Sequence, residues 1–292
     1  MIIVLWRIHV GNKGFALVGR NRVNKGAGKR AAYSDASWII KMIQPLAAML
    51  SSVNLIAILA ALGCSSAAQA DAVIDAGTFS TAAVGNIPPA GWEPLVFQKI
   101  ARHTDYVFVK DGDVVVVKAT SVAAASGLTH RINIDLRKYP FIKWRWKVDD
   151  VIEKSDVHRR DGDDYAARVY VTFAYEPDKF SFGKKLEYTA ARILFGQDTP
   201  IAAINYIWDS KTPVDTIVDN VYTDFVKMIV VESGINKVGQ WVEEERNLYE
   251  DYKQAFGSEP PMVSGVAIMT DTDNTGESAV AYYGDITFQA KH

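Results

Sequence analysis

Three cations at alternate positions are the first residues in this chain that could contact a ligand. Lys143, Arg145 and Lys147 alternate with apolar residues, and successive side chains of a β-strand point to opposite faces. In a second alternating run, Arg168 and Tyr170 lie opposite an apolar row. If the two runs pair as neighbouring strands, all five side chains share one polar surface. We predict that this surface binds a ligand.

A second set of residues has the oxygen-rich spacing of a calcium loop. Asp271, Asp273 and Thr275 occupy the first, third and fifth positions of DTDNTG, and glycine occupies the sixth. Calcium prefers several oxygen ligands around a sharp turn. We predict a structural Ca²⁺ at these residues, with Asp285 as a further ligand if the fold brings it near. The twelfth position, which is glutamate in a calcium loop, is Tyr282, so a plain hairpin turn is the alternative.

Another acidic group has the same two interpretations. Asp161, Asp163 and Asp164 surround Gly162 between the two alternating runs. These carboxylates could bind Ca²⁺, or they could form an ordinary solvated loop.

The sequence gives little support to a catalytic centre. It contains no G-x-S-x-G motif, and its only cysteine, Cys64, lies near the N-terminus. A polysaccharide lyase needs a cation to neutralise a uronate and a tyrosine or histidine base. Arg145, Arg168, Tyr170 and His130 are of those types, but residue types without geometry are weak evidence. The sequence therefore favours a non-catalytic domain over an enzyme.

The elements that would position these residues are mainly strands. Trp144 and Trp146 share the apolar face of the first run, which predicts that both belong to the core. Helical periodicity predicts two α-helices, one at residues 178–195 and one from Gln240 to Gly257. We therefore predict a mostly β fold, an antiparallel two-sheet sandwich of jelly-roll type with two inserted α-helices.

The first seventy residues have the features of a leader. Basic residues precede the apolar run at 45–63, and Ala68-Gln69-Ala70 is an A-x-A cleavage pattern. We predict a signal peptide within residues 1–70, with Met42 as a candidate true start, and one sandwich domain at residues 71–292. The protein would then be exported to the periplasm or beyond. Uncleaved membrane anchoring and lipidation of Cys64 are the alternatives.

The charge balance limits the class of partner. Residues 1–70 hold eight of the 32 Lys and Arg and one of the 34 Asp and Glu, so residues 71–292 carry a net charge of 24 − 33 = −9. Such an excess of acids argues against nucleic acid or an anionic bilayer as the main partner. Membrane contact is expected only through the leader or a lipid on Cys64.

Five ordered segments resemble one bacterial family. They are KYPFIKWRWKV, GDDYAARVYV, INYIWDS with VKMIVVESG, WVEEERNLYEDYKQAFG, and GVAIMTDTDNTGESAVAYYGDITF. Together they are similar to the family of domain of unknown function 3047, DUF3047, over roughly residues 76–288. The resemblance implies an exported, β-rich bacterial protein and no particular chemistry. The last strand is also similar to that of carbohydrate-binding jelly rolls, which is a likeness of fold alone.

These observations lead to one functional hypothesis with two alternatives. The first is an exported binding domain that recognises a carbohydrate or another cell-envelope ligand on one sheet face. The second is a polysaccharide-active enzyme, a lyase or glycosidase, that uses the same face. The third is an envelope protein-interaction or structural module that uses the 240–257 helix or a sheet edge.

Overall fold

The chain forms thirteen strands and one α-helix in the part that the computed structural model describes, which is residues 73–97, 99–174 and 202–290. In chain order the elements are β1 (Val73–Gly77), β2 (Trp92–Leu95), β3 (Asp105–Asp111), β4 (Val114–Val122), β5 (Ala125–Ile134), β6 (Phe141–Val148), β7 (Ala167–Phe173), β8 (Ala203–Asp209), β9 (Ile217–Asn220), β10 (Thr223–Ser233), β11 (Val242–Asn247), α1 (Leu248–Phe256), β12 (Val263–Asp271) and β13 (Ser278–Gln289).

The strands make two sheets that face each other. The first sheet has the order β11-β6-β13-β4-β3, and β1 also pairs with β13. The second has the order β2-β5-β12-β7-β8-β10-β9. All the pairings between these strands are antiparallel except that of β8 with β10, which is parallel. The purely antiparallel sandwich that the sequence predicts is therefore mixed at this one place.

The path of the chain is typical of a jelly roll because it passes repeatedly from one sheet to the other. Strands β4 to β7 alternate between the first and second sheets, and β11 to β13 do so again. The predicted mostly β, jelly-roll-like sandwich is thus confirmed.

The core lies between the sheets and includes the two tryptophans of β6. Alternate residues of β6 are buried, and Trp144 and Trp146 are among them. Trp144 stacks on Tyr206 of the second sheet with the ring centroids 5.1 Å apart, and the rings of Trp146 and Trp208 are 6.0 Å apart. Aromatic pairs of this kind add to the free energy of apolar burial. The prediction that both tryptophans belong to the core is confirmed.

The two alternating runs do not pair, so the condition for one polar surface of five side chains is not met. Strand β6 lies between β11 and β13 in the first sheet, whereas β7 lies between β12 and β8 in the second. The segment 149–166 carries the chain from one sheet to the other. Period two shows which side chains share a face of one strand, but it does not determine the neighbouring strand.

Only part of the predicted helix at 240–257 is helical. Residues Val242–Asn247 instead form strand β11, which pairs with β6, and the helix begins at Leu248. The Asn247 side chain accepts a hydrogen bond from the Glu250 N–H, and Gly257 ends the helix at a φ of 69°. The other predicted helix, residues 178–195, lies outside the described residues. No helix in the described part is long and apolar enough to cross a membrane.

Candidate ligand-binding face

Lys143, Arg145 and Lys147 project from the outer side of the first sheet. Each lies between buried neighbours on β6 and is partly exposed. Their predicted common face is therefore confirmed, and their role in binding a ligand stays a prediction.

Two aromatic residues complete this surface. Trp241 precedes β11, and Tyr282 lies directly across from Lys147 on β13. The Arg145 guanidinium carbon is 4.7 Å from the centroid of the Trp241 ring, and the Lys147 Nζ is 4.4 Å from that of Tyr282. Cations attract the faces of aromatic rings at such distances. We call Lys143, Arg145, Lys147, Trp241 and Tyr282 the β6 face.

The cations of the β6 face differ in their partners. Lys143 forms an ion pair of 2.7 Å with Glu245, and Lys147 forms one of 2.6 Å with Asp111. Arg145 makes neither a hydrogen bond nor an ion pair within the described residues, and its contact is with the Trp241 ring.

Asp111 joins the aromatic and cationic halves of the face. Its Oδ2 accepts hydrogen bonds from the Lys147 ammonium and, at 2.8 Å, from the Trp241 indole N–H. The bond from Lys147, followed by that from Trp241, lowers the pKa of Asp111. Asp111 therefore remains ionised and fixes the orientation of the Trp241 ring.

Gly284 gives Arg145 the space that it occupies. A Cβ at this position would lie 2.5 Å from both Cγ and Nε of Arg145, a distance that real contacts essentially never show. The pairing of β13 with β6 also shifts register between Tyr283 and Ile286, which is an irregularity of the bulge type. The arginine thus crosses β13 where that strand carries no side chain.

A shallow groove of about 410 Å³ runs along this side of the sheet. It is lined by residues of the three strands β6, β11 and β13. The lining residues are Lys143, Trp144, Arg145, Glu243, Glu244, Glu245, Asp285 and Thr287. The groove offers both hydrogen-bond donors and acceptors to a ligand.

Asp285 belongs to this groove, and the calcium loop does not include it. Its carboxylate accepts hydrogen bonds from the backbone N–H and the hydroxyl of Ser80, at 2.8 and 2.5 Å. The condition on which Asp285 was a further calcium ligand is not met, because Asp285 projects from the outer side of the first sheet and Asp271 ends β12 of the second.

Arg168 and Tyr170 are also absent from the β6 face, so the predicted five-residue surface is wrong. Both project from the outer side of the second sheet, where covering segments bury them, and Arg168 is only 1% exposed. Leu95 and Phe97 pack with Tyr170 there. An arginine surrounded in this way cannot meet a large ligand from solvent.

Buried Arg168 is neutralised by carboxylates instead. Its Nε and Nη2 donate to the two oxygens of Asp271 at 2.7 and 2.5 Å, and Nη2 also donates to the Asp163 carbonyl at 2.5 Å. Its Nη1 donates to the Tyr170 hydroxyl at 3.1 Å. A fork of this kind gives the pair both strength and a fixed geometry.

The carboxylates of Asp164, Asp271 and Asp273 form the cluster that could hold a cation, with one oxygen from each within 4.8 Å of the others. The Asp273 Oδ1 is buried and makes no hydrogen bond. Burial, followed by the charge of Asp164, raises the pKa of Asp273 to about 6. The residues fit Ca²⁺ only in part, because Arg168 already occupies both oxygens of Asp271.

Thr275 and the second acidic group contribute to this cluster in unexpected ways. The Thr275 backbone N–H donates to Asp164 at 2.6 Å, while the Thr275 hydroxyl accepts from the Glu277 N–H. Asp164 was grouped with Asp161 and Asp163 in the sequence, and the structure brings it to the DTDNTG turn. Asp161 instead forms an exposed ion pair with Arg159.

Glu244 is a residue that the sequence pattern did not single out. It lies on the inner side of β11, and the Trp146 indole N–H donates to it at 3.3 Å. Burial, followed by the charge of Glu232, raises the pKa of Glu244 to about 7. The segment VEEERN has no alternation of apolar and polar residues that would mark a strand, so the sequence carries no signal that places Glu244.

The groups named for a lyase are not assembled in the structure. His130 lies on β5 of the second sheet, and its Nδ1 is 2.7 Å from the Ala76 carbonyl oxygen. Arg145 lies on the outer side of the first sheet, whereas Arg168 and Tyr170 are buried on the outer side of the second. No common substrate could contact all four.

Comparison with known proteins gives a family and a distant structural likeness. A family model described as "Protein of unknown function (DUF3047)" matches residues 90–287. No curated protein matches the chain significantly. Among solved structures, a family 12 xyloglucanase from Bacillus licheniformis in complex with ligand is similar, with 9% identity and a TM-score of 0.40 over 76% of this chain and 100% of that one. No residue role is transferred from so distant a likeness.

Proposed function

The chain belongs to the DUF3047 family, whose description assigns no activity, and from its geometry we propose that it binds carbohydrate on the β6 face. The sequence features at residues 45–70 support an exported location, so the glycans of the cell envelope are the proposed ligands.

The observation that carries this proposal is the position of Trp241 and Tyr282. Both rings are partly exposed on the outer side of the sheet, and their centroids are 6.5 Å apart. The apolar face of a pyranose ring can stack on an aromatic side chain, while neighbouring polar groups bind its hydroxyls. Here the Lys147 Nζ lies beside both rings, 5.1 Å from the centroid of Trp241 and 4.4 Å from that of Tyr282.

The openness of the site favours binding over catalysis. The groove of about 410 Å³ lies on a sheet surface, and it holds neither of the titratable groups Tyr170 and His130 that a lyase was expected to use. Trp241 and Arg145 are held by Asp111 and by the space above Gly284, so the surface is ordered before a ligand arrives. Such preorganisation reduces the entropy that binding must offset.

Binding of the full chain to an array of envelope glycans tests the proposal, with two matched tyrosine variants. We expect Tyr282→Ala to weaken binding about 3- to 10-fold, because it removes one stacking surface. Tyr222→Ala is the control: its ring also carries a cation, with the Arg160 guanidinium carbon 5.2 Å from the centroid, but it lies outside the β6 face.

Two results would count against a glycan site. If the full chain binds no glycan on the array, the protein-interaction alternative becomes the better account. If the two tyrosine variants lose affinity equally, the β6 face is not the site.

A further inference from the structure

Arg145 is held in place without using any of its hydrogen-bond donors. The Trp241 ring lies against the guanidinium, and the backbone of Gly284 leaves room for the side chain. Neither contact engages the N–H groups, and no described residue accepts from them. An arginine has five N–H donors in a planar fork, which matches the two oxygens of a carboxylate.

The nearby acids do not neutralise this guanidinium. Glu243 is directly across from Arg145 on β11, yet it makes no ion pair with it. Asp285, the neighbour of Gly284, directs its carboxylate to Ser80. Lys143 and Lys147, on either side along β6, are each paired with an acid of the protein. Among the described cations of this surface, Arg145 and Lys118 make no ion pair, and of these two only Arg145 carries a planar fork; the Lys118 Nζ lies 5.8 Å from the Tyr282 ring centroid.

We propose that the β6 face recognises an acidic sugar, and that Arg145 binds its carboxylate through two parallel N–H bonds while Trp241 and Tyr282 support the ring. This inference rests on the proposed function and narrows it to glycans that contain uronic or sialic acid. The net charge of residues 71–292 is negative, so a free, oriented cation on this face is a local exception that fits an anionic ligand.

The test is calorimetric titration of the full chain with a panel of oligosaccharides that contain galacturonate, glucuronate, mannuronate or sialate. The methyl esters of these oligosaccharides and neutral oligosaccharides of equal length are the matched probes. We expect the acids to bind at least about tenfold more tightly than their esters, because the esters cannot form the charged pair. Added salt should weaken the acids selectively.

Single-residue variants test whether Arg145 is the source of the tighter binding of the acids. Arg145→Ala is expected to weaken binding of the acids about 10- to 100-fold and so to remove most of their preference over the esters. Arg145→Lys should recover only part of this affinity, since an ammonium lacks the planar fork. Glu243→Gln should strengthen binding of the acids about twofold. It removes a negative charge, directly across from Arg145, that repels the carboxylate of the sugar.

Arg131→Ala is the control, since it removes an exposed arginine of the second sheet and changes the net charge equally. Equal affinity for acids and esters, or equal losses in Arg145→Ala and Arg131→Ala, would overturn the inference. It would also be overturned if no acid on the panel bound. Neutral-sugar binding that depends on Tyr282 would still leave the proposed function standing.

Discussion

Glu244 shows how one side chain can couple stability to pH. It is partly buried on the inner side of the edge strand β11 beside Trp146, with Glu232 as a neighbouring like charge and Lys237 and Arg246 as the opposite charges. Its pKa rises from an ordinary 4.5 to about 7, so the folded protein holds a proton that the unfolded chain releases. Its contribution to stability is therefore fully present below pH 4.5 and is lost as the pH rises through 7.

We expect Glu244→Gln to remove this pH dependence. The variant should match the wild-type free energy of unfolding below pH 4.5 and exceed it by about 2–3 kcal/mol at pH 8. Urea denaturation at a series of pH values measures both. Glu245→Gln, which changes an exposed acid of the same strand, is the control. A pH-independent difference between wild type and Glu244→Gln would contradict the explanation.

At the scale of elements, the DTDNTG turn and the 161–164 segment meet around Asp164. The turn joins β12 to β13, and the segment precedes β7, so two connections that run between the sheets share one acidic cluster. The charge of Arg168 offsets only part of that of Asp163, Asp164, Asp271 and Asp273. A bound Ca²⁺ would reduce the remaining repulsion.

The Ca²⁺ predicted from the sequence can be tested by thermal unfolding at this cluster. At 10 mM Ca²⁺ we expect Tm to rise by about 3–6 °C relative to a chelator, for a site of millimolar or submillimolar affinity. Asp273→Asn should abolish the rise. Asp285→Asn should retain it, because that carboxylate contacts Ser80 instead. An unchanged wild-type Tm would show that no Ca²⁺ binds and that Arg168 is the cation that neutralises these carboxylates.

Across the whole molecule, the tryptophans occupy two different environments. Trp146 and Trp208 are buried and join the two sheets, whereas Trp241 lies on the β6 face. Replacing a buried tryptophan removes apolar contacts and leaves a cavity.

Unfolding of two tryptophan variants in urea measures this difference. We expect Trp146→Ala to lower the free energy of unfolding by about 3–5 kcal/mol. Trp241→Ala should lower it by about 1 kcal/mol, since mainly cation–π contacts are lost. Similar losses in both variants would mean that Trp241 also belongs to the core.

The sequence predicted the sandwich, the inward tryptophans and the outward cations of β6, because each depends on the period of a single strand. It could not predict that β6 and β7 belong to different sheets, since that depends on contacts between residues far apart in the chain. For this reason the sequence placed Arg168 on the surface of the β6 cations, whereas it lies on the other sheet. The acids after Trp241 suit a helix start and so predict a helix there, but pairing with β6 makes that segment a strand.

The two polar sites of the molecule are the β6 face and the cluster that Arg168 forms with Asp164, Asp271 and Asp273, called here the Arg168 cluster. The β6 face is on the outer side of the first sheet, and the Arg168 cluster is on the outer side of the second, with the whole aromatic interior between them. A glycan on the one cannot reach a metal on the other. If the predicted Ca²⁺ and the proposed sugar both bind, removing the Ca²⁺ would lower the amount of folded protein without altering the intrinsic affinity of each folded molecule for the sugar.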